Sequence, residues 1–520
     1  SGMSEVTQQG NKQAVADILP AKEEVYNRAP RNVLAIFALT LFLIVFSTFV
    51  LTHITESTLW QDEAASANII SNNVTSLLDK STADAQPLFY TYTLKLWGVL
   101  FSDSALSLRL YSFFFALLLI VFIYKIAREF FGEKISVTAS MLASTSYFLI
   151  WFSMQVRVYT IGALLCILSY YLFCKLTEHR SKTYTVLYLL VTTSGMYAHP
   201  WFYFVLVAQI ISALVFDTQR IKALLFTGAV LLFALPGMIT SSQLASLGAN
   251  SWIGAVTFNT ILDSFSFLSY GSTLLYTLVT FASVVWILSG DEPLYSGRRQ
   301  SILLMHFFIP LLLALLVSLF SPIYVAGRYE MILFPIFATL LAIVWSKIDY
   351  RILFFVFFLL VYLTAGKIED RRTAVEGFKS DDRRVTEDIL KRAEKGDLII
   401  TTDLSWSTVH YYVTHSSSPH KDIELFSFPR EIEQHPGWKN MDAMLNNKEK
   451  YTQEAGEIVE KIKTRTDIQN VWVLHNSKNE INVPLIELLK KQFTNYTVEK
   501  PESPRENSWF DEVYTFKIDR

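Results

Sequence analysis

Asp62 and Glu63, in Thr58-Leu-Trp-Gln-Asp-Glu63, follow the first long apolar run, where a chain that has just crossed a membrane would emerge. Adjacent acids at such a place are either solvated loop residues or a base beside a bilayer. A carboxyl near apolar walls has a raised pKa, which suits it to take a proton near neutrality. Other unusual polar residues fall on the same side of the alternating topology described below. They are Arg157 and Tyr159 in Phe152-Ser-Met-Gln-Val-Arg-Val-Tyr159, His199 in Met196-Tyr-Ala-His-Pro200, and Arg328 and Tyr329 in Ser321-Pro-Ile-Tyr-Val-Ala-Gly-Arg-Tyr-Glu330. Taken singly, an interfacial Arg snorkels and a His at a helix end is a satisfied polar group. Taken together, they put acids, cations and an imidazole on a face otherwise short of Lys and Arg. The chemistry that fits is transfer of a group from a membrane-held phosphate ester. Arg holds a leaving phosphate bidentately, and a carboxylate accepts the proton of an attacking hydroxyl. Displacement of the phosphate in one step inverts the anomeric carbon.

The elements that must position these residues follow from composition. The chain has 520 residues, 52% of them hydrophobic and only 18% charged, with 39 Phe, 25 Tyr and 11 Trp. Soluble domains carry about 25% charge, so the deficit points to a membrane protein. A net charge of -2 argues against bulk nucleic-acid binding. The two cysteines, Cys166 and Cys174, lie in one apolar run and read as buried small residues with no disulfide framework. Ser1-Gly2 ahead of Met3 reads as an expression scar, and no cleavable signal peptide is expected.

A helix needs about 20 apolar residues to cross the hydrocarbon core. Runs of that kind at 33–51, 111–131, 135–153, 158–176, 184–200, 202–216, 222–241, 272–289, 301–320, 331–346 and 351–366 predict about eleven transmembrane helices. Every second loop is basic: Lys125, Arg128 and Lys134; Lys175, Arg180 and Lys182; Arg220 and Lys222; Arg298 and Arg299; Lys347 and Arg351. The positive-inside rule puts these loops and the polar segment 1–31 in the cytoplasm, and the tail outside. Segment 1–31 is expected to be flexible or an amphipathic surface helix. The transmembrane domain is 32–367, and its outside loop 53–110 carries the candidate site. Within that loop, 64–78 reads as a helix on the membrane surface and 87–101 as a second interfacial helix. The stretch 242–270, with Trp252, is expected at the interface. From 368 to 520 the composition changes. Short strands are expected at 397–401, 422–426 and 471–474, with helices near 406–413, 453–463 and 483–491 between them. That alternation predicts a soluble α/β domain outside the membrane. It has no Gly-rich phosphate loop and reads as a structural or acceptor-presenting cap.

Trp60-Gln-Asp-Glu-Ala64, Gln86-Pro-Leu-Phe-Tyr90 and Lys95-Leu-Trp97 together resemble the GT-C membrane glycosyltransferases. The likeness is to bacterial relatives of protein O-mannosyltransferases and of the aminoarabinose transferase acting on lipid A. It extends through Ser107-Leu-Arg-Leu110, Phe130-Phe-Gly132, the segments around Arg157 and His199, and Gly327-Arg-Tyr329 before a helix bearing Pro335, over about residues 33–366. The resemblance implies a sugar donor on a polyprenyl-phosphate carrier at the outer face of the membrane. The acceptor is a hydroxyl on a glycolipid, a lipid-linked glycan or a protein. It also implies Asp62 as the base, with Glu63 as its alternate. Arg328 holds the carrier phosphate with Arg157 and His199, and Tyr159, Tyr329 and Gln86 line the substrate. Gln155 and Val156 stand where the family pattern has Glu and Ala, which removes any acidic role there, and the tail beyond 367 matches no named pattern. Some members use a divalent metal, for which Asp62, Glu63 and His199 offer ligands, but no metal-spacing motif is visible and a metal-free site is expected. The expected location is a bacterial inner membrane. The alternative is a lipid or polysaccharide transporter gripping a phosphate head group. Transporters show internal repeats and ionisable residues deep in their spans, neither of which is evident here.

Overall fold

The computed structural model describes residues 19–55, 58–179, 181–217, 220–269, 297–376, 382–416, 423–500 and 510–518. Among the described residues, seven helices are long and apolar enough to cross a membrane: Val33–His53, Ala105–Phe131, Tyr159–His179, Arg220–Ser246, Arg298–Ser318, Tyr329–Lys347 and Tyr350–Asp370. Glu133–Ser144 and Tyr147–Ser153 are bent by 58° at their junction and make an eighth if the pair is one span. This differs from the eleven expected. The fifth and sixth expected spans are the shorter helices Lys182–Ala198 and Phe202–Phe216, and the eighth, 272–289, lies outside the described residues. Hydropathy counts apolar residues without seeing where a helix breaks. At Thr145-Ser146 the chain stops and restarts, with the Ser146 hydroxyl accepting the Leu149 N–H at 3.4 Å as the cap of the second piece.

Helices that are apolar all round and uncovered by protein belong in lipid. Val33, Leu34 and Phe37 on the first span, Leu225, Leu232 and Phe233 on the Arg220–Ser246 helix, and Phe354, Phe355 and Tyr362 on the Tyr350–Glu376 helix are all exposed in this way. The Tyr159–His179 helix is their opposite. It is buried on nearly every face, with Cys166 and Cys174 both free and buried. Polar side chains tie it to its neighbours: Ser169 bonds Thr192 at 2.9 Å, Gln209 donates to Ser169 at 2.8 Å, and Tyr188 donates to Gln209 at 2.6 Å. Such bonds hold helices together where no hydrophobic effect acts between them. From Leu19 to His53 the chain is one unbroken helix, so residues 19–32 extend the helix of the first span beyond its apolar part.

The C-terminal part holds a five-stranded sheet built from β1 (Leu398–Thr402), β2 (Glu424–Phe428), β3 (Asn470–His475), β4 (Tyr496–Glu499) and β5 (Glu512–Lys517), in the spatial order β2-β1-β3-β5-β4. β1 pairs in parallel with β2 and β3, with Leu398 opposite Glu424 and Val471. β5 runs antiparallel to β3, and β4 antiparallel to β5. Apolar cores lie on both faces of the sheet. One is built with the Lys448–Thr464 and Val483–Gln492 helices, the other with Asp382–Arg392 and Trp406–Thr414. The parallel strands coincide with the expected ones; the two antiparallel strands were not anticipated.

The loop expected outside is not free. The Gln61–Ser71 helix, expected on a membrane surface, is almost wholly buried, between the Leu88–Leu100 helix and the Trp406–Thr414 helix beside the sheet. Asn68 Nδ2 donates to the Ser407 carbonyl at 2.8 Å, and the Tyr412 hydroxyl accepts the Leu59 N–H at 2.7 Å. The Leu88–Leu100 helix has 13 residues and is too short to span, as expected of the 87–101 stretch.

Candidate active site

The Gln61–Ser71 helix opens with Asp62 and Glu63 in its first turn, where the positive end of the helix favours acids. Successive helix residues are rotated by about 100°. The two carboxylates therefore face different partners.

Asp62 faces two arginines. Arg328 Nη2 bonds Asp62 Oδ2, and Arg157 Nη2 lies 3.5 Å from the same oxygen. Arg328 Nε also donates to the Tyr159 hydroxyl at 2.6 Å. The Arg328 guanidinium sits 5.4 Å from the Trp60 ring and 5.6 Å from the Trp252 ring, so indoles from two loops flank it. Its backbone is set by Glu330, whose carboxylate accepts the Gly327 N–H at 2.5 Å and the Arg328 N–H at 3.1 Å. Gly327 has φ 72°, and a Cβ there would come within 2.4 Å of the Phe267 ring. Only glycine suits that corner. Arg157 Nε is buried with no hydrogen-bond partner among the described residues.

Burial pushes the Asp62 carboxyl up, but Arg157 and Arg328 outweigh it and hold it below the usual carboxylate range. This corrects the expectation of a raised pKa at apolar walls, because the walls carry two guanidinium groups.

Glu63 is engaged elsewhere. Arg109 donates to it twice, Nε to Oε1 at 2.9 Å and Nη2 to Oε2 at 2.8 Å. The N–H groups of Val156 and Trp60 supply the remaining bonds, at 2.9 and 3.2 Å. Arg109 then reaches the carbonyls of Ile54 at 2.8 Å and Thr58 at 3.1 Å. This pair fastens the end of the first span, the loop start and the approach to Arg157 into one unit. Glu63, expected as the alternate base, thus has both of its oxygens engaged by a buried network.

His199 and Tyr329 form an aromatic wall beside the arginines. Their ring centroids are 5.2 Å apart, His199 to Tyr159 is 6.1 Å, and His199 Nδ1 accepts the Trp201 N–H at 3.2 Å. Gln86 bridges, donating to Asp84 Oδ2 at 3.2 Å with its Oε1 3.5 Å from Ser66 Oγ. Asp62, Arg157, Arg328 and Tyr159 therefore converge, His199 and Tyr329 stand beside them, and Gln86 reaches them through Ser66. Among the described residues no three His, Cys, Asp or Glu side chains group as a metal site. Asp62, Glu63 and His199 in particular do not share a centre.

Residues 85–241 match the family described as dolichyl-phosphate-mannose-protein mannosyltransferase. Among solved structures, the chain is similar to ArnT from Cupriavidus metallidurans in the apo state. The TM-score is 0.59 and the identity 11%, over 94% of this chain and 99% of that one. The same protein bound to undecaprenyl phosphate gives 0.58 and 11%, over 93% and 98%. The chain has the GT-C glycosyltransferase fold. Another structure with this fold, the Archaeoglobus fulgidus oligosaccharyltransferase tethered with an acceptor peptide, gives 0.50 and 13%, over 92% of this chain and 74% of that one. No curated protein matches by sequence.

Within this GT-C fold, four contributors were not assigned roles from sequence. Arg109 sits inside the quoted Ser107–Leu110 stretch, and as a cation in a loop expected outside it is an exception to the loop-charge pattern. Glu330 directly follows the Arg328-Tyr329 pair. Trp60 adjoins the acids. Asp84, three percent exposed, accepts the N–H of Gly437 at 2.5 Å, and no local signal marks a partner so far along the chain.

Proposed function

We propose that the protein is an inverting glycosyltransferase. It moves a monosaccharide from a polyprenyl-phosphate carrier to a hydroxyl acceptor at the outer face of a membrane. The observation that carries this reading is the shared carboxylate: Asp62 is held by both Arg157 and Arg328, and Arg157 keeps a buried N–H donor unpaired. An unsatisfied buried donor needs an explanation, and a phosphate oxygen supplies one. Arg328 and Arg157 would bind the donor phosphate, with Trp60 and Trp252 walling it in. The acceptor oxygen attacks the anomeric carbon, the bond from that carbon to the phosphate oxygen breaks, and the electron pair leaves with the carrier phosphate. The hydroxyl proton goes to Asp62. A bound phosphate also competes with Asp62 for the arginines, which frees the carboxylate and raises its basicity. The base is thus weak until the donor arrives. Tyr159 orients Arg328, and Glu63 with Arg109 fixes the helix on which Asp62 rides.

The purified chain in nanodiscs, given a panel of polyprenyl-phosphate sugars and membrane extract as acceptor, tests this. The expected result is consumption of one donor by wild type, binding without turnover by Asp62→Ala, and loss of carrier binding by Arg328→Ala. Wild-type turnover by Asp62→Ala would remove the base assignment. If no donor is bound or consumed, lipid flux across the membrane becomes the reading to measure.

A further inference from the structure

The soluble domain sends one loop, His435–Asn440, into the membrane domain. It touches three separate segments, and each adjoins the site. The Pro436 carbonyl accepts from Gln61 Nε2 at 3.3 Å, and Gln61 is the neighbour of Asp62. The Gly437 N–H donates to Asp84 Oδ1 at 2.5 Å, while Trp438 Nε1 donates to the Ala83 carbonyl at 3.1 Å. Ser251 Oγ donates to the Lys439 carbonyl at 3.4 Å and Asn440 Nδ2 to the Leu247 carbonyl at 3.3 Å, just before Trp252. Gln86 donates to Asp84 Oδ2, and its Oε1 lies 3.5 Å from the Ser66 hydroxyl, which donates to the Asp62 carbonyl at 3.0 Å. A continuous chain of polar contacts therefore runs from the loop to the backbone of Asp62.

The loop is equally fixed at its own end. Lys439 Nζ bonds Asp403 Oδ1 at 2.5 Å, and the other Asp403 oxygen takes Asn476 Nδ2 at 3.1 Å and Asn479 Nδ2 at 3.0 Å. Asp403 follows β1 in a left-handed conformation, φ 60°, which a non-glycine residue holds only where its surroundings enforce it. The rings of His435 and Trp438 stack at 4.3 Å. Gly437 has no room for a side chain, since a Cβ would stand 2.9 Å from both Asp84 oxygens.

We propose that His435–Asn440 is a strap through which the soluble domain sets Asp62 and Trp252 against Arg157 and Arg328, with Asp84 and Gly437 as its positioning residues. This rests on the transferase reading above. The strap gives the soluble domain a part in the transfer step, beyond capping the membrane domain. Small displacements matter here: misplacing a reacting group by about 1 Å costs on the order of 100-fold in rate.

The test uses the full chain in nanodiscs, with Gly437→Ala, Asp84→Ala, Asp84→Asn and the Gly437→Ala/Asp84→Ala double variant. Amide hydrogen exchange over residues 58–71 is read beside kcat and donor KM. Gly437→Ala and Asp84→Ala are expected to raise that exchange about tenfold and lower kcat about 10- to 100-fold. Donor KM is expected to move less than about threefold, because both arginines remain. Asp84→Asn keeps an acceptor for the Gly437 N–H and is expected to recover most of the loss. The double variant is expected to be no worse than either single one, since both break one contact. Unchanged exchange over 58–71, or additive losses in the double variant, would overturn the strap. Looser exchange with wild-type kcat would overturn its role in transfer. If wild type transfers no sugar, the transferase reading fails, and the exchange results alone decide whether the strap exists.

Discussion

Two arginine–carboxylate centres are built from adjacent residues and behave differently. Glu63 and Arg109 are closed off, their side chains 1% and 3% exposed. Each Glu63 oxygen accepts two N–H groups. Asp62, Arg157 and Arg328 are 14%, 12% and 19% exposed, share one carboxylate oxygen between two cations, and leave Arg157 Nε unpaired. A network with every group satisfied has nothing left to offer a ligand, but it holds a backbone firmly. A network with a surplus of positive charge and an open donor is incomplete until an anion joins it. The difference separates the two centres more sharply than the identity of the residues, which are a carboxylate and arginine in both.

The largest effects should come from exchanging the fates of the two acids. Asp62→Asn is expected to lower kcat by about 100- to 10,000-fold, the usual range for a lost general base, with the unfolding midpoint nearly unmoved. Glu63→Gln leaves Arg109 buried with a neutral partner. Breaking such a pair costs about 3–5 kcal/mol, so the midpoint should fall steeply. Thermal unfolding and single-turnover transfer on both variants check this. If Glu63→Gln kept its midpoint and lost turnover, the comparison would be reversed.

Smaller effects are expected from the arginines. Arg328→Lys keeps the charge but loses the planar fork that bonds Asp62 and Tyr159 together. A charge-assisted hydrogen bond contributes about 1.5–3 kcal/mol, so binding of the carrier phosphate should weaken about 10- to 100-fold. Arg109→Lys should leave that binding intact and lower the unfolding midpoint. Equilibrium binding of undecaprenyl phosphate to the two variants, measured side by side, sharpens the contrast. Equal losses from both would mean that the two centres act as one.

Much of the open centre was legible in the sequence. Sorting loops by charge put Asp62, Arg157, Arg328 and Tyr159 on one side of a membrane, and they do converge. The closed centre was not legible, because adjacency along a chain hides the rotation that turns Glu63 away from Asp62. The direction of the Asp62 shift was hidden too. Its sign depends on whether cations or hydrocarbon stand nearest, and that is a distance. Asp84 had no signal, since its partner is 353 residues away. In the soluble domain the parallel strands announced themselves as apolar runs. β4 did not, because all four of its residues are exposed at the sheet edge and carry no buried alternation.

The smallest predicted effects concern pH, and they set Asp62 against Asp84, which the Ser66–Gln86 bridge connects. Asp62 is held below the usual carboxylate range by Arg157 and Arg328 against the pull of burial, so it stays ionised to lower pH than a free Asp. The acid limb of kcat/KM, which reports free enzyme, should therefore lie below the ordinary carboxylate range. Donor phosphate draws the arginines away and adds negative charge, so the acid limb of kcat should lie higher than that of kcat/KM. Coincident limbs would mean that the phosphate does not compete with Asp62. For Asp84, burial is the dominant cause, and it raises the carboxyl to about 7 against the opposing bonds from Gly437 and Gln86. A folded-state pKa above the unfolded one means that the folded protein holds the proton more tightly. The associated stability is fully present below the ordinary carboxylate value and is lost as pH rises through about 7. The unfolding midpoint of wild type should fall over that window relative to Asp84→Asn, whose side chain does not titrate. Parallel midpoint curves for the two proteins would show that Asp84 titrates normally, and that the contact with Gly437 does not depend on its proton.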